Sequence, residues 1–330
     1  MIKFSFIMAA YNAEKYISEA ISSVLNQSYD TWELIIVDDG STDNTPVLID
    51  CFSNKDSRIR VIHQANSGTA AAARNTALKH VSGDYVQMID ADDLLNENML
   101  TEYEKKLKVN DFDIVIPNAI CFENDDMDNI FWEKDAPDKN YDQVLTGKRG
   151  FELSLDWTVH GFFLVKNELI QRIKYDPKLL NGDEFTTRKL LFNADRIGFS
   201  DTYYYYRKNP DSTTKSSKNK YRMYECVITD INIYNFSIDN HMSQEIVDKC
   251  INKLIQSFFH YSNSFSKDEK LDDDIEGRNY AGEILQRTYY MLTKDMFNCT
   301  PFKYRLFYYI SGGKYRRFKA MIEYVSKFRK

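Results

Sequence analysis

The sequence predicts an α/β fold, in which helices flank a mainly parallel sheet and a mostly helical C-terminal region follows. Strand-like and helix-like segments alternate through the first 120 residues, a pattern typical of parallel sheets covered by helices on both faces. Polar residues stand directly after the first four predicted strands. From about residue 221 onward, apolar residues recur at helical spacing almost throughout.

The predicted elements of the first 120 residues follow from short apolar runs and from apolar stripes with helical period. Each strand reads as a continuous apolar run, as expected for a buried parallel sheet. The strands are FSFIMAA (4–10), WELIIVDD (32–39), RIRVIHQ (58–64), YVQMID (85–90) and DIVIPNAI (113–120). The intervening helices are expected over 14–27, 42–52, 69–80 and 96–108.

The domain organisation is predicted from changes in composition. Residues 122–150 are acidic and irregular, so we expect a long loop or excursion there, with helical and strand signals returning around 151–173. A run rich in Ser, Thr, Lys and Asn precedes residue 221, which favours a boundary near it. We therefore predict a catalytic domain over 1–217, made of halves 1–120 and 121–217, and a helical domain over 218–330.

Charge and cysteine usage limit the function classes. A formal net charge of −6 argues against nucleic acid as a partner, since such proteins normally carry a basic stripe. The five cysteines are far apart and form no zinc or disulfide pattern, which fits a reducing cytoplasm. No apolar run reaches the length of a membrane span, so we expect a cytoplasmic protein.

The last thirty residues are strongly basic. Nine Lys or Arg stand against one acid between Pro301 and Lys330. Five apolar residues fall there at helical spacing, namely Tyr315, Phe318, Met321, Ile322 and Val325. Such a helix can lie on an anionic membrane surface, which would place the protein peripherally on the inner face of the membrane. The alternative is a helix packed on its own domain.

Acidic residues crowd the end of the fourth predicted strand. Asp90, Asp92 and Asp93 occupy three of four consecutive positions, which is unfavourable unless positive charge lies among them. Mn²⁺ or Mg²⁺ accompanied by substrate phosphates would supply that charge. The alternative is that Asp92 or Asp93 caps the helix beginning near Asn96 and that Asp90 is a turn residue. No P-loop or GxGxxG motif is present, and ligands of such sheets bind beyond the carboxyl ends of the strands.

Three segments carry a family resemblance. FSFIMAAYNAEKYISEAISSVLNQSYDTWELIIVDDGSTDNT, NSGTAAAARNTAL and GDYVQMIDADD resemble, in order and spacing, the nucleotide-binding half of glycosyltransferase family 2. A weaker match continues to about residue 215. The resemblance implies the GT-A fold, with its Rossmann-like sheet, and an inverting reaction. It also implies a nucleoside-diphosphate sugar, usually a UDP-sugar, bound with Mn²⁺ or Mg²⁺.

The resemblance assigns expected roles in the nucleotide-binding half. Ala9 to Tyr11 would line the base and ribose pocket, although the family usually has Pro where Ala9 stands. Asp39 would accept a hydrogen bond from the base, and Asp38 would support the loop or the ribose; the alternative is that both cap the following helix. Gly68 would let the backbone approach the nucleotide. Arg74 would neutralise acids or a phosphate, or else form a structural ion pair.

The DADD segment matches the family's DXD motif. Asp90 and Ala91 are expected at the nucleotide, with Asp90 near the ribose. Asp92 is the expected metal ligand, and Asp93 is the alternative ligand. The segment YYYYRKNPDST resembles a family loop after the last strand. The resemblance implies that Arg207 reaches the diphosphate when this loop closes, accompanied by Ser212.

Direct displacement at an anomeric carbon also needs a base opposite the leaving diphosphate. The segment LLNGDEFTTRKLLF (179–192) resembles the family segment that supplies it. Asp183 takes the position of the base, Gly182 replaces a usual Glu, and Glu184 is the alternative base. Both acids could instead favour the N-terminus of the following helix. In the segment from 156 to 170, Trp157 and His160 are expected to border the sugar and acceptor pocket.

These features favour a metal-dependent inverting glycosyltransferase of cell-surface polysaccharide synthesis. It would move a hexose or N-acetylhexosamine from a UDP-sugar to a hydroxyl of a glycan, which we expect to be lipid-linked. One alternative is a non-catalytic protein that binds sugar nucleotides or glycans. Another is a sugar-nucleotide nucleotidyltransferase, although the Gly-rich loop that this class needs after the first strand is missing. A homo-oligomer is compatible with the sequence.

Overall fold

The computed structural model describes residues 1–123, 126–209, 220–268 and 274–326. Contacts divide the chain into two compact units. The first contains Met1–Lys178 and Gly182–Pro210, and the second contains Leu179–Asn181 and Asp211–Lys330. The predicted boundary at 217/218 falls within 210–219, outside the described residues.

Among the described residues of the first unit, nine strands form one mixed sheet in the order β3-β2-β1-β4-β8-β6-β9-β5, with β7 paired to β6. The first four strands pair in parallel, and so do β6 and β9. The strands are β1 (Phe4–Ala10), β2 (Trp32–Asp38), β3 (Ile59–His63), β4 (Tyr85–Met88), β5 (Leu94–Leu95), β6 (Ile114–Glu123), β7 (Asp126–Lys134), β8 (Leu164–Lys166) and β9 (Ile197–Arg207).

Helices cover both faces of this sheet, which confirms the predicted α/β fold. They are α1 (Ile17–Leu25), α2 (Thr45–Ser53), α3 (Ala70–Leu78), α4 (Met99–Val109), α5 (Gly147–Ser154), α6 (Asn167–Ile173) and α7 (Gly182–Asn193). Alternate residues of β1 point to opposite faces. Phe4, Phe6 and Met8 join the core beneath α1, α2 and α4, whereas Ile7 joins the core beneath α3, α6 and α7.

Of the predicted long loop or excursion over 122–150, the loop interpretation is wrong for much of the part that the structure describes. Strand β6 continues to Glu123 and pairs in antiparallel fashion with β7, and α5 begins at Gly147. Most residues of β7 are exposed, so this edge strand lacks the apolar run by which the buried strands are recognised. Its anchor is Trp132, whose ring stacks on Tyr206 with centroids 6.1 Å apart.

The second unit is helical, as its apolar spacing predicts. Its helices are α8 (Glu225–Asp239), α9 (Gln244–Asp268), α10 (Ile275–Met291), α11 (Lys294–Asn298), α12 (Phe302–Ser311) and α13 (Tyr315–Ser326). Aromatic rings fill its core: Phe258 stacks on Phe318 with centroids 5.2 Å apart, and Tyr289 lies beside both. None of the helices that the structure describes is long and apolar enough to cross a membrane.

The apolar stripe predicted near the C-terminus packs inside the second unit. Phe318 and Ile322, both on α13, are 1% and 6% exposed within the core, and Tyr315, Met321 and Val325 are half-buried. This stripe therefore cannot also lie in a lipid surface. The packed-helix alternative is correct for α13.

Candidate functional site

A cleft in the first unit brings together residues from four distant segments. It encloses about 660 Å³ of space, part of it open to solvent. It is lined by the C-terminal end of β4, by α3, by the segment between α5 and β8, and by the first turns of α7. Six predicted site residues line it, namely Arg74, Asp90, Trp157, His160, Asp183 and Glu184.

Arg74 links the two acids that the sequence assigned to opposite halves of the reaction. Its Nη2 lies 2.7 Å from Asp90 Oδ1, and its Nη1 lies 3.1 Å from Asp183 Oδ2. The Arg74 side chain is 10% exposed. Burial opposes its charge, but the two carboxylates outweigh burial and raise the pKa of Arg74. The guanidinium is therefore charged at every working pH and fixes Asp183 beside Asp90.

Asp93 is buried beneath the DADD segment. The Tyr204 hydroxyl donates a hydrogen bond of 2.7 Å to its Oδ2, and the Arg207 backbone N–H donates one of 2.8 Å to its Oδ1. Burial, followed by the charges of Asp92 and Asp90, raises the pKa of Asp93 well above its ordinary value. This carboxyl is fully buried and hydrogen-bonded on both oxygens, which disfavours Asp93 as the alternative metal ligand; that assignment stays a prediction.

Asp92 is better placed than Asp93 to bind a cation. Burial and the neighbouring Asp90 raise its pKa, so its ionised form lacks compensation that a cation would provide. Its Oδ2 accepts a hydrogen bond of 3.0 Å from Asn209. The described residues contain no group of three or more His, Cys, Asp or Glu that could hold a metal. Mg²⁺ and Mn²⁺ fit such a sparse site, since they also take phosphate and water oxygens.

Hydrogen bonds join the loop after β1 to the loop after β2. They are made by Asn12, a residue that the sequence analysis did not single out. Asn12 has a positive φ of 49°; its N–H donates to Ser41 Oγ, and its Oδ1 accepts from the Thr42 N–H at 2.8 Å. Asn tolerates this conformation better than most residues, which was the available signal. The neighbouring Ala9 and Tyr11 are half-buried.

Asp38 supports this loop as expected. Its Oδ1 accepts from the Ser41 N–H, and its Oδ2 lies 3.0 Å from His63 Nδ1. The hydrogen bond with Asp38, which outweighs burial, raises the pKa of His63, and a second hydrogen bond with Asp50 adds to the increase. Helix α2 begins only after Asn44, so the interpretation of Asp38 and Asp39 as helix caps is wrong.

Asp39 holds the loop after β3. Its two oxygens accept hydrogen bonds from Gln64 Nε2, the Ser67 N–H and the Ser67 hydroxyl, and the residue is 6% exposed. To accept the predicted hydrogen bond from a nucleotide base, Asp39 would have to give up one of these three hydrogen bonds. Gly68 has a φ of 82°, a conformation that glycine adopts readily. Ala91 is buried in the core, so it can offer only its backbone.

Arg207 is part of the scaffold. Its guanidinium pairs with Glu19 at 2.7 Å and donates to the Asp92 carbonyl at 2.8 Å. It also lies over the rings of Tyr16 and Phe122 and is 4% exposed. These contacts hold the buried charge in place in this structure, so Arg207 would have to exchange them to reach a diphosphate, and that role stays a prediction. Ser212 lies outside the described residues.

His160 and Trp157 border the cleft in different ways. His160 is buried; its Nδ1 accepts from the Phe162 N–H, so its Nε2 carries the proton donated to the Pro117 carbonyl at 2.9 Å. Burial lowers the pKa of His160 to about 4, which leaves it neutral and structural at pH 7. Trp157 is 38% exposed with a φ of 63°, so it holds an aromatic face at the cleft in a strained conformation.

Helix α7 presents its two acids differently. Asp183 is 44% exposed and faces Arg74. Glu184 forms an ion pair with the buried Arg188, whose Nη2 also donates to the Ser154 carbonyl at 3.0 Å. Glu184 is thereby committed to compensating Arg188, which weakens its assignment as the alternative base. Sequence reasoning missed Arg188, although the Glu184–Arg188 spacing of four residues was a readable signal.

Tyr204 is a second residue of the site that the sequence analysis did not identify. Its hydroxyl accepts from the Asp90 N–H at 3.2 Å and donates to Asp93, so it fixes the backbone of the acidic segment. The alternation in YYYY places Tyr204 and Tyr206 on one face of β9, but nothing in that pattern shows which hydroxyl meets an acid.

The model for Glycosyl transferase family 2 matches residues 5–172, a span that contains β1–β4, the acidic segment and the cleft residues up to His160. The chain belongs to this family. It is therefore a glycosyltransferase, and the alternatives of a non-catalytic binding protein and a nucleotidyltransferase fall away.

Two curated relatives of this glycosyltransferase have informative names. The poly(ribitol-phosphate) beta-N-acetylglucosaminyltransferase TarS of Staphylococcus aureus is 28% identical over 87% of the chain, which spans 50% of TarS. The UDP-Glc:alpha-D-GlcNAc-diphosphoundecaprenol beta-1,3-glucosyltransferase WfgD of Escherichia coli is 39% identical over 43% of the chain and 54% of WfgD.

A solved structure of TarS residues 1–349 with UDP matches the whole chain and 92% of that fragment. Its TM-score is 0.70 at 21% identity. This likeness confirms the predicted GT-A fold followed by a helical region.

Proposed function

We propose that this glycosyltransferase is a metal-dependent inverting enzyme that transfers a hexose or N-acetylhexosamine from a UDP-sugar to a glycan hydroxyl. One observation carries the proposal. Asp90, from the motif expected to bind the donor, and Asp183, the expected base, meet in one cleft on either side of Arg74. A donor site and a base must share a cleft if displacement occurs at one anomeric carbon.

The donor would bind beyond the ends of β1, β2 and β4, with Ala9, Tyr11, Asp39 and Gly68 around the nucleoside. TarS has been solved with UDP, which supports the same class of donor here. Asp92, with Asp90 beside it, would hold Mn²⁺ or Mg²⁺, because burial leaves the Asp92 carboxylate short of positive charge. When bound, the metal stabilises negative charge that develops on the leaving diphosphate.

Asp183 would remove the proton from the acceptor hydroxyl as that oxygen attacks the anomeric carbon. It is exposed enough to meet an acceptor and is oriented by Arg74 at 3.1 Å. Glu184 would keep Arg188 neutralised at the wall of the cleft. Trp157 offers an aromatic face of the kind on which sugar rings stack, so we propose it as the acceptor platform.

The acceptor would be a glycan of a cell-surface polysaccharide that is assembled on a lipid carrier. The name of WfgD specifies a diphosphoundecaprenol acceptor, which supports this class. An enzyme acting on such a carrier with a nucleotide sugar would work in the cytoplasm at the inner face of the membrane. A homo-oligomer stays a prediction.

The test is UDP release in a screen of UDP-sugars with Mn²⁺ and glycan acceptors. Asp183→Asn should lower kcat by about 10²–10⁴-fold and leave the affinity for UDP measured by calorimetry nearly unchanged. Glu184→Gln is the matched control on the same helix turn and should retain far more activity. Equal loss in both variants, or loss of UDP binding in Asp183→Asn, would remove Asp183 from the role of base.

A second arm tests the metal. EDTA should abolish activity and Mn²⁺ should restore it, and Asp92→Asn should weaken UDP binding only when Mn²⁺ is present. Full turnover in EDTA would refute the metal requirement while leaving the role of Asp183 open to its own test.

A further inference from the structure

Helix α12 carries apolar side chains on its solvent face. Phe302 is 70% exposed, Leu306 42%, Tyr309 52% and Ile310 56%. Their spacing of four, three and one residues places them along one side of the helix. Contiguous apolar surface of this kind marks an interaction site far more often than scattered single residues do.

The opposite side of α12 is firmly packed, so the exposed stripe does not reflect a loosely attached helix. Tyr308 stacks on Phe297 with ring centroids 4.4 Å apart. Tyr304 lies 4.7 Å from the ring of Phe259. The helix therefore presents its apolar stripe on a fixed support, because its inner face is already committed to the core of the second unit.

Basic residues accompany the stripe on α12 and follow it directly in the chain. Lys303 and Arg305 lie on α12 itself, and Lys314, Arg316 and Arg317 follow directly after the turn at Gly312–Gly313. All of these except the half-buried Arg305 are exposed. Between 301 and 326 the only acid is Glu323. The partner of this surface should therefore combine negative charge with apolar material.

We propose that the solvent face of α12, with the basic residues that accompany it, docks on an anionic lipid bilayer. Interfacial helices insert an apolar stripe at the level of the acyl chains while Lys and Arg contact anionic headgroups. A second copy of the chain fits less well, because a two-fold contact through α12 would bring the same basic residues face to face. The proposed membrane-binding surface lies on α12. It takes the place of the α13 surface expected from the sequence, whose apolar stripe is buried.

The inference goes beyond the proposed function and does not depend on it, since vesicle binding is measured without donor or acceptor. The experiment is cosedimentation of the full chain with vesicles of phosphatidylglycerol and phosphatidylcholine, compared with vesicles of phosphatidylcholine alone. We expect binding to the anionic vesicles that weakens steeply with added salt.

Two pairs of substitutions separate the apolar and the basic contributions. Phe302→Ser with Ile310→Ser should lower the partition coefficient by about tenfold for each side chain. Lys303→Gln with Lys314→Gln should lower it by about fivefold for each charge, and only on anionic vesicles. The matched controls lie in the first unit: Val47→Ser with Val109→Ser, which are 69% and 75% exposed, and Lys55→Gln with Lys79→Gln.

Three results would overturn the proposal. The first is absence of binding by the unaltered chain to anionic vesicles at low salt. The second is an equal loss of binding in the controls. The third is a dimer, seen by light scattering, that the Phe302→Ser and Ile310→Ser pair dissociates without any change in vesicle binding. Because these positions are exposed, unchanged melting temperatures should show that every variant folds.

Discussion

The buried carboxyl of Asp93 should make the stability of the first unit depend on pH in a direction opposite to that of ordinary acids. Its pKa is raised above 3.8 by burial and by Asp92 and Asp90. Between pH 3.8 and the raised pKa, the folded state keeps a proton that the unfolded state has lost. The free energy of unfolding should therefore fall as pH rises, by up to about 1.4 kcal/mol per pH unit.

Asp93→Asn removes this titration, because Asn resembles the protonated acid. It should carry a fixed cost of about 1 kcal/mol, since an amide has one acceptor for the two donors that Asp93 meets, Tyr204 Oη–H and the Arg207 N–H. The free energy of unfolding of Asp93→Asn, relative to that of the unaltered protein, should therefore increase steadily as pH rises. Tyr204→Phe should act in the opposite direction and lower stability by about 1–3 kcal/mol at any pH where Asp93 is ionised, because it removes a hydrogen-bond donor from the buried carboxylate.

The assay is urea unfolding from about pH 4.5 to about pH 7.5, with the two variants and the unaltered protein compared at each pH. Tyr205→Phe is the matched control, since Tyr205 lies next along β9 and is half-buried; it should change stability by less than about 0.5 kcal/mol. Parallel profiles for the unaltered protein and Asp93→Asn would refute the argument, because they would show that the carboxyl gains no proton on folding.

Three further predictions concern single positions. Gly147→Ala should destabilise the first unit by more than about 2 kcal/mol in thermal unfolding, because its Cβ would overlap the carbonyl oxygens of Phe192 and Ala194. Glu33→Gln should cost about 2 kcal/mol at pH 7. Hydrogen bonds that include those from Ser5 and Ser82 outweigh burial and lower the pKa of Glu33 to about 2, so this difference should shrink as pH falls below 4.5. Arg74→Lys should reduce the rate of UDP release at least tenfold while UDP binding changes less, because a single ammonium cannot reproduce the fork that joins two carboxylates.

The buried strands of the sheet could be predicted because the pattern that identifies each strand lies within its own residues. In β1 and β2, uninterrupted apolar runs mark strands that are buried on both faces, and the polar residues after them mark the binding edge. The strand β7 could not be predicted in this way. Backbone pairing with β6 and the contact between Trp132 and Tyr206 hold it, and neither leaves a pattern within its own residues.

In the candidate site, too, some features could be predicted from the sequence and others could not. The motif around Asp90 and Asp92 was readable because adjacent acids conflict unless something compensates them. Which of the acids faces the cleft was not readable, since burial of Asp93 depends on Tyr204, which lies 111 residues away. The ion pair of Arg207 was not readable for a similar reason: its partner Glu19 is distant in sequence, and only the fold brings the two together.

Arg74 shows what connects the two halves of the cleft. A cation was expected near the acids after β4, but its second partner, Asp183, is 109 residues further along the chain. Because one rigid guanidinium contacts both carboxylates, any ligand that displaces Asp90 from Arg74 also alters the charge around Asp183. In the proposed mechanism, donor binding and the readiness of Asp183 as the base would therefore be coupled through this single side chain, which the separate motifs do not reveal.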